Sequence, residues 1–195
     1  MAANPKILAF SGSARRESLN KKLLAVAVQA VRETGGEVTL VELSDFALPL
    51  YDGDLEEAQG MPAGAVKLVE LITQHDALLI ASPEYNSMIT PLLKNTIDWC
   101  SRADENPFEG KVVAVVSASP GALGGIRSLK MAQQLLLHLG AHVVPGNTML
   151  PQAHKAFGTD GALTEERTLR SVKALAGALV ETARKLGVSK PGSQN

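Results

Sequence analysis

Residues 6–20 read KILAFSGSARRESLN, an apolar run followed by a loop of hydroxyl, guanidinium and amide side chains. The apolar run at residues 7–10 predicts a buried β-strand. Residues 18–33 carry apolar side chains at helical spacing and precede Gly35 and Gly36, so they predict a helix that ends there. This stretch therefore predicts a strand–loop–helix unit whose polar loop lies between the two elements.

The same unit recurs along the chain. Further strands are predicted at residues 38–41, 77–81, 112–116 and 142–144, and further helices at residues 62–75, 91–101, 125–139 and 164–186. The third and fourth strands are continuously apolar, which is typical of strands covered on both faces. Five strands that alternate with helices, joined by right-handed crossovers, predict an α/β fold with a doubly wound parallel sheet and helices on both faces.

The segments between these elements are also informative. Residues 44–61 are rich in Gly, Asp and Pro, and we predict one long surface loop for them. Residues 191–195 are expected to form a disordered tail, and residues 1–190 to form a single domain. No internal repeat or long linker interrupts the alternation.

Composition limits the class of protein. The chain has 195 residues, of which 45% are hydrophobic and 20% charged, and its formal net charge is -1. Because it lacks a strongly basic surface, we expect neither a nucleic acid nor a membrane as partner. The single Cys100 cannot form an internal disulfide, and there is no apolar run of membrane-spanning length or secretory type. We therefore expect a cytoplasmic protein.

The loop after the first strand has the features of a phosphate site. Ser13, Arg15, Ser18 and Asn20 precede a helix N-terminus, where unpaired N–H groups and the positive end of the helix dipole favour an anion. Capping of the helix by Ser18 or Asn20 is the alternative, but capping alone does not explain two serines and Arg15 in one loop. The loop lacks the glycine motifs of pyrophosphate and triphosphate sites, so it predicts a monophosphate.

The loop after the third strand begins with Pro83, Glu84, Tyr85 and Asn86. It leaves a buried strand and must turn sharply, which presents backbone N–H and C=O groups at the sheet edge. A flat heteroaromatic ring suits such a surface. A structural turn with Tyr85 as a surface aromatic is the alternative, and this loop alone does not decide between them.

The loop after the fourth strand reads SASPGALGGIR at residues 117–127. Its glycines, among them Gly121 and Gly124, permit close approach of the backbone to a ligand, although such glycines also serve to turn the chain before a helix. All three loops follow strands at the edge where doubly wound sheets bind ligands. Together they predict a site for a ring that bears a phosphate.

Three motifs in order, GSARRESLN (residues 12–20), PEYNSMITPLLKNTIDW (residues 83–99) and SASPGALGGIR, resemble those of the NADPH-dependent FMN reductase family. This flavodoxin-like group includes quinone, azo-dye and chromate reductases, and the resemblance spans residues 6–139. It implies a five-stranded sheet in the order 2-1-3-4-5, FMN as cofactor, and NADPH or NADH as co-substrate. It also implies a homodimer or homotetramer with the flavin near a subunit boundary.

Carried over residue by residue, the family pattern implies three sets of FMN contacts. They are Ser13, Arg15, Ser18 and Asn20 for the phosphate, Pro83, Glu84, Tyr85 and Asn86 for the ring, and Ser117, Ser119, Gly121 and Gly124 for the pyrimidine edge and ribityl chain. The roles of Arg16, Lys94 and Arg127 stay open.

The family chemistry implies that hydride passes from the nicotinamide to flavin N5, and that the reduced flavin then delivers electrons to a small acceptor by a ping-pong scheme. Quinones, flavins, azo compounds and chromate are the acceptor classes. The protein therefore needs no catalytic nucleophile. We also expect no metal site, because the four histidines lack metal-ligand spacing.

Other classes of protein are compatible with parts of this pattern. An FMN-binding electron carrier or redox sensor without NAD(P)H turnover is the main alternative, but flavodoxin carriers are typically strongly acidic and this chain is nearly neutral. A serine hydrolase would need the G-x-S-x-G elbow, which is absent. A response-regulator-like domain would need acidic residues where Ser11, Gly12 and Ser13 stand.

Overall fold

The computed structural model describes residues 4–187. Its strands are β1 (Lys6–Ser11), β2 (Glu37–Glu42), β3 (Ala77–Ala81), β4 (Glu84–Tyr85), β5 (Met88–Ile89), β6 (Val112–Ala118), β7 (His142–Val143) and β8 (Thr148–Leu150). Its α-helices are α1 (Leu19–Glu33), α2 (Gly53–Gln59), α3 (Ala63–Gln74), α4 (Pro91–Cys100), α5 (Ile126–His138) and α6 (Glu166–Gly187). Short 3-10 helices cover Leu43–Phe46 and Ala153–Lys155. The tail predicted for residues 191–195 lies outside the described residues.

The main sheet has the strand order β2-β1-β3-β6-β7 with parallel pairing throughout. This order confirms the predicted 2-1-3-4-5 arrangement. Every residue of β3 and β6 is buried, as their continuously apolar sequences predict. β2 lies at the edge, and its Leu40 is 51% exposed. The carboxyl ends of β1, β3 and β6 therefore lie side by side at one edge of the sheet.

The fifth strand position is divided between two short strands. β7 pairs with the beginning of β6, and β8 pairs with its end. Between them lie Pro145, which has no N–H to donate, and Gly146, whose φ is +135°. The prediction of a strand at residues 142–144 holds for β7, but it missed β8.

Two hydrophobic layers enclose the sheet. Ile7 and Ala9 of β1 point to the layer that contains α1 and α6, while Leu8 and Phe10 point to the layer that contains α3, α4 and α5. Each fully buried aliphatic or phenyl side chain of this kind contributes about 1.5–3 kcal/mol. Helices thus cover both faces, as the alternation of elements predicts.

The prediction of one long loop over residues 44–61 was wrong. The first part is a 3-10 helix, and α2 begins after Asp52, whose Oδ1 accepts a hydrogen bond of 2.8 Å from the N–H of Asp54. This acidic N-cap is a helix signal that the Gly and Pro content obscured. The Tyr51 hydroxyl donates to Glu56 at 2.9 Å, and the Arg102 guanidinium, which also bonds Glu56, holds the pKa of that carboxyl below its usual range.

Helix α4 anchors the same segment to the core. Asn95 Nδ2 and Trp99 Nε1 both donate to the carbonyl of Pro49 at 2.8 Å. Trp99, Leu93 and Ile97 are buried within the chain, so these side chains need no second subunit to cover them. Burial also raises the pKa of the Cys100 thiol to about 12, which keeps it neutral. Within residues 4–187, no helix is long and apolar enough to cross a lipid bilayer.

Candidate functional site

A cavity of about 250 Å³ opens beside the carboxyl ends of β1, β3 and β6. The three loops that follow these strands form its walls. Its lining consists of Ser13, Arg15, Ser18, Leu19, Asn20, Pro83, Glu84, Tyr85, Ala118, Ser119 and Pro120. The structure therefore brings together one part of each loop that the sequence singles out. Asn86, Ser117, Gly121 and Gly124 do not line this cavity.

The first loop offers hydroxyl groups at the head of α1. Ser18 is the N-cap, and its Oγ accepts a hydrogen bond of 3.4 Å from the N–H of Lys21. Ser13 Oγ accepts from the N–H of Arg15 at 3.3 Å. Since both oxygens act as acceptors in these bonds, their hydroxyl protons can be donated to a ligand. Capping and ligand binding are thus compatible in Ser18.

The Ser11 hydroxyl is a buried polar group close in sequence to the first loop, but Ser11 does not line the cavity. Ser11 ends β1 and is 4% exposed. Among the described residues, its Oγ is the one buried side-chain polar atom without a hydrogen-bond partner. A buried hydroxyl without a partner costs free energy unless a ligand or water satisfies it.

Asn20 uses most of its hydrogen-bonding capacity within the protein. Its Nδ2 donates to the carbonyl of Ala118 at 2.8 Å, and its Oδ1 accepts from the N–H of Ala118 at 2.9 Å. One Nδ2 proton remains for another acceptor. Asn20 therefore lines the cavity while it connects the first loop to the third.

The second loop is held by α5. The Ser128 hydroxyl donates to the carbonyl of Pro83 at 2.7 Å. Glu84 Oε2 accepts from the N–H groups of Arg127 and Ser128 at 3.0 and 3.2 Å, so the carboxylate caps the N-terminus of α5. The Arg127 guanidinium lies 3.5 Å from Glu84 Oε1. Arg127 and the Glu84 side chain thus hold the loop, and Glu84 also lines the cavity.

The same loop continues as a two-residue hairpin between β4 and β5. Asn86 and Ser87 form its turn with φ values of 51° and 67°, a conformation that Asn adopts readily. Asn86 therefore lies at the tip of the hairpin. Tyr85, 48% exposed, lies at the cavity, and its cross-strand partner Met88 lies on the other side of the hairpin turn. The predicted sharp turn is this hairpin.

The third loop combines one cavity residue with residues that shape the backbone. Ser119 lines the cavity, and its Oγ accepts from the N–H of Gly121 at 3.1 Å. Ser117 is fully buried and its hydroxyl donates to the carbonyl of Ser82 at 2.8 Å. Gly124 has a φ of +61°, and a Cβ there would lie 2.8 Å from the backbone nitrogen of Pro151. Gly124 thus allows the loop to pack against the chain that follows β8.

Two of the residues whose roles were left open remain, Arg16 and Lys94. Arg16 is exposed and does not line the cavity. Lys94, on α4, forms an ion pair with Asp98 at 2.6 Å and lines a different, apolar groove. Within residues 4–187, no group of three or more His, Cys, Asp and Glu side chains could hold a metal ion. The site therefore combines hydroxyl, amide and backbone groups with the Arg15 guanidinium near the head of α1.

A parallel sheet in this order, with its ligand cavity where strand order reverses, defines the flavodoxin-like class of α/β proteins. Within that class the chain belongs to the NADPH-dependent FMN reductase family, whose sequence model matches residues 5–155.

Known proteins agree with this assignment. The chain is 35% identical to an NAD(P)H-dependent FMN reductase of Pseudomonas aeruginosa over 95% of this chain and 99% of that protein. It is 37% identical to an NAD(P)H:quinone oxidoreductase of Solanum tuberosum over 95% of this chain and 97% of that protein. Its structure is similar to that of the flavoenzyme NAD(P)H:(acceptor) oxidoreductase FerB of Paracoccus denitrificans, with a TM-score of 0.79, 30% identity, and coverage of 93% and 98%.

Gly121 and Gly124 of the third loop have different environments, so alanine substitutions distinguish them. Gly124→Ala places a side chain at positive φ against backbone atoms of residues 150 and 151, and we expect it to lower the free energy of unfolding by about 2 kcal/mol. Gly121→Ala is the matched control, because its Cβ would meet only Ser119 Oγ at 3.5 Å. Urea unfolding measures the free energy of unfolding of both variants. An equal decrease in the two variants would contradict this account of Gly124.

Proposed function

We propose that this protein is an FMN-dependent NAD(P)H oxidoreductase that passes electrons to quinones or similar small acceptors by a ping-pong hydride mechanism. The similar small acceptors that we propose are free flavins, azo compounds and chromate. We further propose that it acts in the cytoplasm as a single domain over residues 1–190. The observation that carries the proposal is the hydroxyl-lined head of α1, which lies across one cavity from the ring-binding motif of its family.

The residues of the first loop fit a phosphate group. Ser13 and Ser18 line the cavity, are each 5% exposed and have hydroxyl protons to donate. The positive end of the α1 dipole adds to the attraction for an anion. Arg15 lines the same cavity and can form a charge-assisted hydrogen bond. We propose that these groups hold the FMN phosphate, with Asn20 offering its remaining Nδ2 proton.

The other two loops fit a planar ring. Backbone groups of Pro83, Glu84 and Tyr85 follow β3 at the cavity, and Ser128 and the head of α5 hold them in place. Ser119 and Pro120 form the wall contributed by the third loop. The cavity is open to solvent beside Tyr85, so one face of a bound ring stays accessible. We propose that this open face admits the nicotinamide and then the acceptor.

Bound FMN would supply the redox chemistry, which is hydride acceptance followed by electron delivery. The protein's own residues position the ring and keep its phosphate fixed, and they need no nucleophile or metal for this purpose. Backbone donors on a rigid loop cost little reorganisation when charge develops on a ligand. The buried bonds of Ser117 and Ser128 provide that rigidity for the loops after β6 and β3.

We also propose a homodimer or homotetramer. An apolar groove of about 580 Å³ lies between the β4–β5 hairpin, α4 and α5. Its lining is Met88, Ile89, Pro91, Lys94, Met131, Gln134, Leu135 and His138. Contiguous exposed apolar surface with a polar rim is a common feature of protein interfaces. Because the hairpin carries Tyr85 at the cavity and Met88 in the groove, a second subunit seated there would lie next to the flavin.

The proposed activity is tested by the visible absorption of the protein after FMN loading and desalting, followed by anaerobic addition of NADPH. We expect a retained flavin band that bleaches with NADPH and returns when a quinone is added. A retained band that NADPH does not bleach would favour an electron carrier or redox sensor. No retained band would contradict the FMN site.

The phosphate site is tested by Arg15→Ala, with Arg16→Ala as the matched control. Arg15 lines the cavity and Arg16 does not, although both are exposed. We expect Arg15→Ala to raise the Kd of FMN about ten-fold, since it removes a charge-assisted hydrogen bond. Arg16→Ala should bind FMN with a Kd close to that of the unmodified protein. Quenching of flavin fluorescence measures both constants, and equal effects would remove Arg15 from the phosphate site.

The oligomer is tested by Met131→Glu, which places a charge in the apolar groove. Sedimentation velocity should then show a smaller species, a monomer from a homodimer or a dimer from a homotetramer, because burying an unpaired carboxylate is costly. Val66→Glu is the control, since Val66 is 41% exposed on α3, outside the groove. A Met131→Glu protein that sediments like the unmodified one would argue against this interface.

A further inference from the structure

Strand β3 leaves the sheet before its neighbour β6 has ended. Ala81 is in register with Val116, and the last ladder bond runs from the N–H of Ser82 to the carbonyl of Val116 at 2.8 Å. Pro83 then directs the chain away from the sheet and into the hairpin. β6 continues to Ala118, so its end has no strand beside it on the β3 side.

The Asn20 carboxamide occupies this gap. Val116 and Ala118 lie two positions apart on one strand, so their N–H and C=O groups point to the same side, toward β3. Ser119 points to the opposite side, where its N–H bonds the carbonyl of Leu150. Both backbone groups of Ala118 bond the Asn20 side chain, at 2.8 and 2.9 Å. The amide side chain thus replaces a peptide unit of the absent strand.

The carbonyl of Ser82 also has a different hydrogen-bond partner from the one that a continued ladder would give it. In a continued parallel ladder, the carbonyl of Ser82 would accept from the N–H of Ala118. It accepts instead from the Ser117 hydroxyl at 2.8 Å. Asn20 is therefore the described partner of both backbone groups of Ala118, and the two residues are 5% and 3% exposed. Loss of the carboxamide would leave two buried backbone groups without partners, which is costly.

These two bonds join loops with different tasks. Asn20 lies in the first turn of α1, behind the loop with Ser13 and Arg15, whereas Ala118 directly precedes Ser119 and Pro120 of the third loop. The bonded residues are 98 positions apart in sequence. The distance between the phosphate end and the ring end of the cavity is therefore set in part by one side chain.

We infer that Asn20 is a positioning residue that places the third loop relative to the phosphate loop, and so acts on the ring end of the bound flavin through Ala118. This role rests on the proposed FMN site. It differs from that of a phosphate ligand, because it predicts an effect on a flavin that carries no phosphate.

The test compares Asn20→Ala with Arg15→Ala, using FMN and riboflavin as probes and flavin fluorescence quenching to measure each Kd. Arg15→Ala should raise the Kd of FMN only, since riboflavin has no phosphate. Asn20→Ala should raise the Kd of both flavins about ten-fold, because two buried hydrogen bonds that hold the third loop are lost. An effect of Asn20→Ala on FMN alone, or on neither flavin, would overturn the positioning role.

A second readout is the midpoint potential of FMN bound at saturation. The family pattern assigns the third loop to the pyrimidine edge of the ring, where its backbone N–H groups would stabilise the reduced flavin, so displacing the loop should weaken binding of reduced FMN more than that of oxidised FMN. A ten-fold difference corresponds to a midpoint potential more negative by about 30 mV for two electrons. Arg15→Ala should leave the potential unchanged. An unchanged potential in Asn20→Ala would also overturn the role.

Two outcomes separate this role from the proposed function. If the unmodified protein binds neither flavin, both the FMN site and the positioning role are contradicted. If it binds FMN, the Asn20 variants alone decide the role.

If circular dichroism shows that the Asn20→Ala variant does not fold, Asn20→Asp is used in its place. Asp keeps the acceptor for the N–H of Ala118 and lacks the donor to its carbonyl. Weaker riboflavin binding by Asn20→Asp is then expected, and unchanged binding would overturn the role.

Discussion

The parallel pairing of β3 with β6 at the centre of the sheet is the constraint on which the rest of the structure depends. Both strands are buried on both faces, so neither can shift without exposing one hydrophobic layer. Their pairing ends abruptly where Pro83 follows Ser82, and the loops that follow β3 and β6 both line the cavity. The cavity lies where β3 ends two residues before its neighbour β6.

Several polar side chains serve to hold the separated strand ends in place. The Ser117 hydroxyl bonds the carbonyl of Ser82, and the Ser128 hydroxyl bonds the carbonyl of Pro83. Glu84 caps α5, and Asn20 bonds Ala118. Most of these groups are buried, where a hydrogen bond left unmade costs more than one at the surface. The proposed reductase chemistry belongs to the flavin, so rigid placement of the ring is the task that remains for the protein.

Apolar runs and helical spacing predicted a parallel sheet with helices on both faces, because these signals depend on neighbouring residues. The strand order came from the resemblance to the family, and the structure confirms it. The same reasoning missed β8, which pairs with the end of β6 only after Pro145 and Gly146 interrupt the edge strand. It also missed α2, whose Asp52 cap stands among residues typical of loops. Eight of the twelve residues named for the cofactor line one cavity, and the other four do not.

The sequence by itself determined the class of sheet, the three loops at its ligand-binding edge and the kind of ligand they suit, since hydroxyl groups before a helix and glycines after a strand are local features. The tertiary structure alone decided what each polar side chain does. Asn20 and Ala118 are 98 positions apart, and Glu84 caps a helix that begins 42 positions later at Ile126. These side chains bond the backbone groups that the packed sheet leaves unpaired. Which backbone groups are left unpaired depends on where strands that are distant in sequence end.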